Sequence, residues 1–176
     1  NEKTKISSRT KKADAIITDK KKFPIAILTA DCVPILICDH KRKMIAAIHA
    51  GWRGAIKGIV KKVINFMLNQ GCKSKNMTVA IGPCISIKSY EIKKKFKIKF
   101  LNDNPKNIIF FENIKKKIYF DLPKYVKSQI NLYNINRIDF LKKDTFAAKN
   151  NFFSARRSIK FKKNDYGRNI SIIVIN

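Results

Sequence analysis

FPIAILTADCVPILICDHKRKMIAAIHAGWRG, residues 23–54, decides the fold. It holds three short apolar runs rich in β-branched residues, FPIAIL, VPILIC and MIAAIH, bounded by Asp, Lys and Pro, and each reads as a strand. The second and third are almost continuously hydrophobic. Such strands sit at the centre of a sheet, buried on both faces. The polar turn Asp39–Lys43 joins them.

Outward from this block, ADAIITD at residues 13–19 adds another strand, and residues 1–12 are polar and basic, an irregular or edge segment. After Gly54 the period changes. Ile56, Ile59, Val60, Val63, Ile64, Met67 and Leu68 form one stripe at helical spacing, with Lys57, Lys61, Lys62 and Asn65 opposite. Gly71 suits the left-handed cap that ends such a helix. MTVAIGP reads as a strand running into a Gly-Pro break, and SYEIKKKFKIKFL as a basic helix. KKIYFDL, RIDFL and NISIIVIN are strand-like, and Leu122–Leu132 is helical. The expected fold is α/β, or α+β: a single compact domain over residues 1–176, with mixed sheets flanked by helices.

The 176 residues are 45% hydrophobic, enough for a sizeable core, which excludes the disordered class. No run reaches membrane-spanning length. No secretory leader opens the chain, so reduced cysteines in a cytoplasm are expected. The net charge of +27 comes from 39 basic and 12 acidic residues. Lys is spread along the whole chain, and abundant Ile, Asn and Lys reflect coding DNA rich in A and T. That accounts for the charge; nucleic-acid binding is the weaker alternative.

Chemistry concentrates at Cys32 and His49. Each stands at the end of an apolar run, and if the strands are neighbours the two face each other at one rim. Three readings stay open: a packed core pair, a Cys–His nucleophilic couple, or two of three protein ligands to a zinc that keeps an open position. Beside His49, Gly51 and Gly54 allow positive φ or close backbone approach. The following helix N-terminus and the Arg53 fork favour an anion. Arg156, Arg157 and Arg168 cluster late in the chain and would join an anion pocket only if folded against that rim. His40 belongs to the solvated turn, Cys38 to the core, and Cys72 is incidental. Cys84 lies at a strand-to-loop break. The HxE/PCxxC zinc-deaminase signature, the P-loop and GxGxxG are absent.

The motifs ADAIITD, TADCVPILICD, IAAIHAGWRG, AIGPCI, YEI, FFSARR and GRNISIIVI, in this order, resemble the YfiH family across essentially all 176 residues. This family was once called multicopper polyphenol oxidase or laccase-domain proteins and is now described as purine nucleoside phosphorylases. The resemblance implies a catalytic zinc (Zn2+) held by Cys32, His49 and a His from an N-terminal motif. No His precedes His40, which lies at the opposite strand end, so the N-terminal part of the family domain is expected to be missing. The resemblance also implies purine nucleoside and phosphate as partners. Adenosine, inosine, guanosine and methylthioadenosine would be split with phosphate, deamination of adenosine would be a further activity, and Arg53, Arg156 and Arg168 would bind substrate or phosphate. Asp144–Phe146 stands where the family often carries a Cys-Thr pair. The rival is an inactive truncated remnant or basic binding module. Copper-dependent phenol oxidation is disfavoured, because two histidines cannot furnish a blue-copper site and further coppers.

Overall fold

The computed structural model describes residues 13–163 and 166–176; the expected edge segment at 1–12 lies outside the described residues. In chain order the strands are β1 Ala15–Thr18, β2 Ile25–Thr29, β3 Val33–Asp39, β4 Met44–Ala50, β5 Met77–Ile81, β6 Glu91–Ile92, β7 Phe111–Ile114, β8 Lys117–Phe120, β9 Arg137–Phe140 and β10 Asn169–Ile173. The helices are α1 Trp52–Ile56, α2 Ile59–Asn69, α3 Lys94–Asp103, α4 Leu122–Asn131 and α5 Ala155–Lys160. The main sheet has the order β1-β4-β3-β5-β9, antiparallel except for the parallel β5–β9 pair. Smaller sheets pair β10 with β2 and arrange β6-β8-β7. The fold is the expected mixed α/β domain.

Burial on both faces explains the unbroken apolar runs. Alternate residues of β3 and β4 point to opposite sides. Ile35, Ile37, Ala46 and Ile48 join the core built with Val60, Val63, Ile64 and Met67 of α2. Ile45 and Ala47, with Leu36 and Cys38, pack instead against Ile25 and Ile27 of β2 and Ile175. A sheet with polar residues on either face could not sit between these two layers.

The helical stripe after Gly54 is not one helix. α1 ends at Ile56, and Gly58 takes a left-handed conformation (φ 74°) before α2 begins. Only glycine does this cheaply, so the chain turns there without losing the stripe. α2 stops as expected. Gly71 is left-handed at φ 87°, with its N–H donating to the Leu68 carbonyl (2.9 Å) and the Cys72 N–H to that of Met67 (3.1 Å). That pair of bonds is the Schellman cap.

The expected basic helix begins only at Lys94. Glu91 and Ile92 form β6 instead, pairing with Tyr119 and Ile118 of β8. This places Tyr90 and Phe96 in an aromatic cluster with Phe100, Phe111 and Phe120, whose centroids lie 4.6–6.3 Å from their neighbours. Burying those rings outweighs the helical preference of the residues before Lys94.

The β3–β4 turn depends on Asp39, a fully buried residue. Its Oδ1 accepts from the Lys41 and Arg42 N–H groups, both at 2.9 Å, and its Oδ2 from Lys73 N–H at 2.8 Å. Burial alone would raise its pKa, but the three backbone bonds outweigh that and hold the carboxyl below 3.8. A depressed carboxylate stabilises the fold above its unfolded pKa, and the contribution disappears as pH falls through the folded value. Asp39→Asn would leave an amide N–H facing Lys73 N–H and should cost about 1–3 kcal/mol at neutral pH. Urea melts should show the deficit shrinking as pH falls through and below the ordinary carboxylate range. A deficit that stays constant from pH 7 down to the onset of acid unfolding would exclude this electrostatic role.

Candidate functional site

The β3–β4 register builds the rim. Val33 pairs with Ala50 and Pro34 with His49, so Cys32 falls opposite Gly51. A Cβ placed on Gly51 would lie 3.0 Å from Cys32 Sγ and 3.9 Å from His49 Nε2. The thiol and the imidazole therefore converge on the space that this glycine leaves empty. The expectation of positive φ is corrected: Gly51 is extended (φ −73°, ψ 163°), Gly54 lies inside α1, and neither is left-handed. Gly51 supplies room rather than an unusual backbone. The expected anion-binding helix terminus is also reduced, since α1 has only five residues.

Burial pushes the Cys32 thiol up to about 11, and the Asp31 and Asp14 carboxylates add to the effect. At neutral pH the thiol is protonated, which disfavours a free Cys–His nucleophile. A cation replacing that proton would make the thiolate favourable. Among the described residues no three or more His, Cys, Asp or Glu side chains are grouped to hold a metal ion. Thiol and imidazole are nevertheless ordinary zinc donors, and the cradle at Gly51 is open to one. Two such donors alone do not complete a metal site, which takes at least three protein ligands.

Sequence reasoning missed Asp31. Its backbone is left-handed (φ 87°), and the residue is only 9% exposed. Oδ1 accepts from the Thr145 hydroxyl and Oδ2 from Arg156 N–H, both at 2.7 Å, while its carbonyl accepts from Ile85 N–H at 3.0 Å. One residue thus ties the Cys32 loop to three distant segments. The available signal was an acid directly before a cysteine at a strand end.

The arginines separate. Arg156 donates to the Glu91 carbonyl (2.9 Å) and lies 5.2 Å over the Tyr90 ring. Arg53 is exposed and lies 4.7 Å over Trp52. Burial raises the Tyr90 phenol, Cys32 and Asp31 add to the rise, and both arginines act against it, so all these groups share one neighbourhood. Arg157 holds the Thr145 and Phe146 carbonyls at 2.7 and 3.1 Å, a clamp on its own loop. Arg168 is exposed, 4.0 Å over Tyr166, and donates to the Tyr166 and Gly167 carbonyls; the next residue, Asn169, pairs with Thr29 of β2.

Asp144 accepts from the Ser86 and Ser89 hydroxyls (2.7 and 2.6 Å) and from Phe146 N–H (2.9 Å). Burial would raise its pKa, but these bonds prevail and hold the carboxyl low. Asp144–Thr145 therefore knits the Cys84 and Asp31 loops together rather than opening the pocket. Cys84 and Cys72 are buried, Cys72 against Met44 sulfur at 3.7 Å, and Cys38 is half-buried in the second core layer. His40 is exposed in its turn.

A family model described as multi-copper polyphenol oxidoreductase laccase matches residues 1–176. The purine nucleoside phosphorylase RP494 of Rickettsia prowazekii is 36% identical over 165 residues, covering 93% of this chain and 68% of that one. A purine nucleoside phosphorylase of Bacteroides thetaiotaomicron is 35% identical over 150 residues, covering 82% and 55%. The crystal structure of Neisseria meningitidis protein NMB0706 superposes with a TM-score of 0.79 at 30% identity, covering 93% of this chain and 65% of that one. The Bacillus licheniformis hypothetical protein YfiH gives 0.82 at 25%, with 93% and 61% covered. The chain spans between about half and two-thirds of the length of these relatives.

Proposed function

The chain belongs to the multi-copper polyphenol oxidoreductase laccase family, that of YfiH, and from that premise we propose that it cleaves purine nucleosides with phosphate at a zinc held in part by Cys32 and His49. The observation that carries this reading is the convergence of a thiol and an imidazole on the empty space at Gly51. Relatives named purine nucleoside phosphorylase support the phosphorylase role. The choice among adenosine, inosine, guanosine and methylthioadenosine, any deamination of adenosine, and action in the cytoplasm are parts of the proposal. No described helix is long and apolar enough to cross a membrane.

When bound, zinc would supply Lewis-acid polarisation. Cys32 and His49 would hold it together with a third donor. Arg53, exposed beside the rim, orients phosphate with its planar fork. A phosphate oxygen then bonds to ribose C1′ as the C1′–N9 bond breaks, and the base leaves carrying the electron pair. Arg156, fixed by Glu91 and lying over Tyr90, stands on the base side of that bond.

The test is direct. The protein, loaded with zinc, is incubated with adenosine and phosphate, and the products are separated. Adenine and ribose 1-phosphate are expected, with inosine if deamination also occurs. Cys32→Ala should abolish the release. Zinc-loaded protein that releases no base from any of the four nucleosides would overturn the reading in favour of an inactive remnant.

A further inference from the structure

We infer that the cavity bounded by Trp52, Tyr90, Ile92, Phe96 and Arg156 receives the purine base and that Arg156 reads its N7 acceptor. This rests on the phosphorolysis reading and adds the residues that would recognise the base. The cavity measures about 410 Å³, within the range of small-molecule sites; Trp52, Tyr90, Ile92 and Phe96 give it an apolar wall, and Glu91, Lys93 and Arg156 complete the lining. Trp52 follows Gly51 directly, so the cavity opens one residue from the rim. By contrast, a second cavity sets Arg53, Lys57 and Lys99 against one acid, Asp103, with Ile56 and Asn102, and is the more cationic of the two.

The walls are held still. Trp52 and Phe96 are 4.9 Å apart at 57°, and Tyr90 and Phe96 6.1 Å apart at 72°. Tilted rings of this kind make a concave surface rather than a closed stack. Phe100, fully buried, lies flat behind Phe96 at 4.9 Å and 21°. A flat heteroaromatic ring gains contact there without ordering mobile side chains.

Arg156 gives the pocket direction. Its backbone is fixed to Asp31 and one terminal nitrogen to the Glu91 carbonyl. A guanidinium carries five N–H donors, so donors remain for a ligand. Every common purine presents N7 as an acceptor. Pyrimidines lack this atom and are too small to span the aromatic wall.

Trp52 is the only tryptophan, so its fluorescence reports this cavity without phosphate, zinc or turnover. Titration of the chain with adenine should give saturable quenching. 7-Deazaadenine should bind about tenfold more weakly, since a hydrogen bond from a charged donor is lost, and uracil should show no saturation. Tyr90→Leu should weaken adenine binding about tenfold, a typical cost of losing an aromatic contact to a base. In turnover it should raise the KM for nucleoside and leave that for phosphate unchanged. Arg156→Lys should remove the distinction between adenine and 7-deazaadenine. Ile92→Ala is a milder change to the wall should Tyr90→Leu fail to fold, and should also weaken adenine. Equal quenching by uracil and adenine, unaltered binding in both wall variants, or retained discrimination in Arg156→Lys would overturn the assignment. Saturable purine binding without turnover would support the pocket and count against phosphorolysis. Turnover with no Trp52 response would do the reverse.

Discussion

Gly51→Ala should lower zinc affinity by about 10- to 100-fold, the loss usual when a metal ligand is misoriented, with little change in thermal stability. Glycine at 51 has φ −73° and ψ 163°, a conformation open to alanine, so the backbone gives no reason for loss. The new methyl would stand 3.0 Å from Cys32 Sγ, closer than ordinary van der Waals contact, and 3.9 Å from His49 Nε2. Cys32 can retreat a few tenths of an ångström, which satisfies packing but turns the sulfur from the space it shares with the imidazole. Gly54→Ala is the control. Its Cβ would meet Ile59 Cγ2 at 3.5 Å and the His49 carbonyl at 3.9 Å, both ordinary contacts. Inside α1 that change should be neutral or stabilising by about 0.4–1 kcal/mol. Zinc titration by calorimetry, paired with thermal melts, separates the two. Gly51→Ala binding zinc as tightly as the parent would move the metal away from Cys32 and His49.

The contrast between these glycines shows where sequence reading ends. In HAGWRG both look alike, and only the register of β3 against β4 reveals that one faces a thiol. β3, β4 and the α2 stripe were legible because burial acts locally: a strand covered on both faces has no polar side to show. β2 was legible from its β-branched run, although Leu28 leaves one of its faces exposed. The same local logic found the Gly71 cap. It missed the break at Gly58, since one glycine inside a periodic stripe leaves the pattern intact. It missed β7, where Glu112 and Asn113 interrupt the apolar residues, and the six-residue α5, which is too short for a helical period. It ran the helix at 94 back through β6, whose strand character comes from pairing with β8, more than twenty residues later. The arginines mark the same limit. Arg156 and Arg157 are adjacent in sequence, yet one lies over Tyr90 and the other clamps its own loop.

Asp31→Ala should be the most destabilising single change at the site, about 2–4 kcal/mol for one buried and one half-buried donor left without their charged acceptor. In a domain of this size that corresponds to a fall in Tm of roughly 5–15 °C. The carboxylate's partners, Thr145 and Arg156, lie 114 and 125 residues away in sequence, so its loss uncouples the Cys32 loop from two remote segments at once. Backbone adds to the cost. At φ 87° an aspartate is tolerated better than an alanine, because its side chain bonds locally and offsets the left-handed strain. Asp31→Asn keeps that tolerance and the shape but must turn an amide N–H toward one of the two donors, so it should fall between parent and alanine. The Thr145→Val variant separates the terms. Thr145 is fully buried and its hydroxyl serves Asp31, so the double variant with Asp31→Ala should lose less than the sum of the single losses. Strict additivity would show that Asp31 and Thr145 are not coupled. A loss below about 1 kcal/mol in Asp31→Ala, within the range of an ordinary single hydrogen bond, would mean that the rim is held by β3–β4 pairing alone. Arg156 should register the change as well, because its N–H is released from Asp31. Asp31→Asn should therefore weaken adenine quenching of Trp52 at temperatures where the variant is still folded.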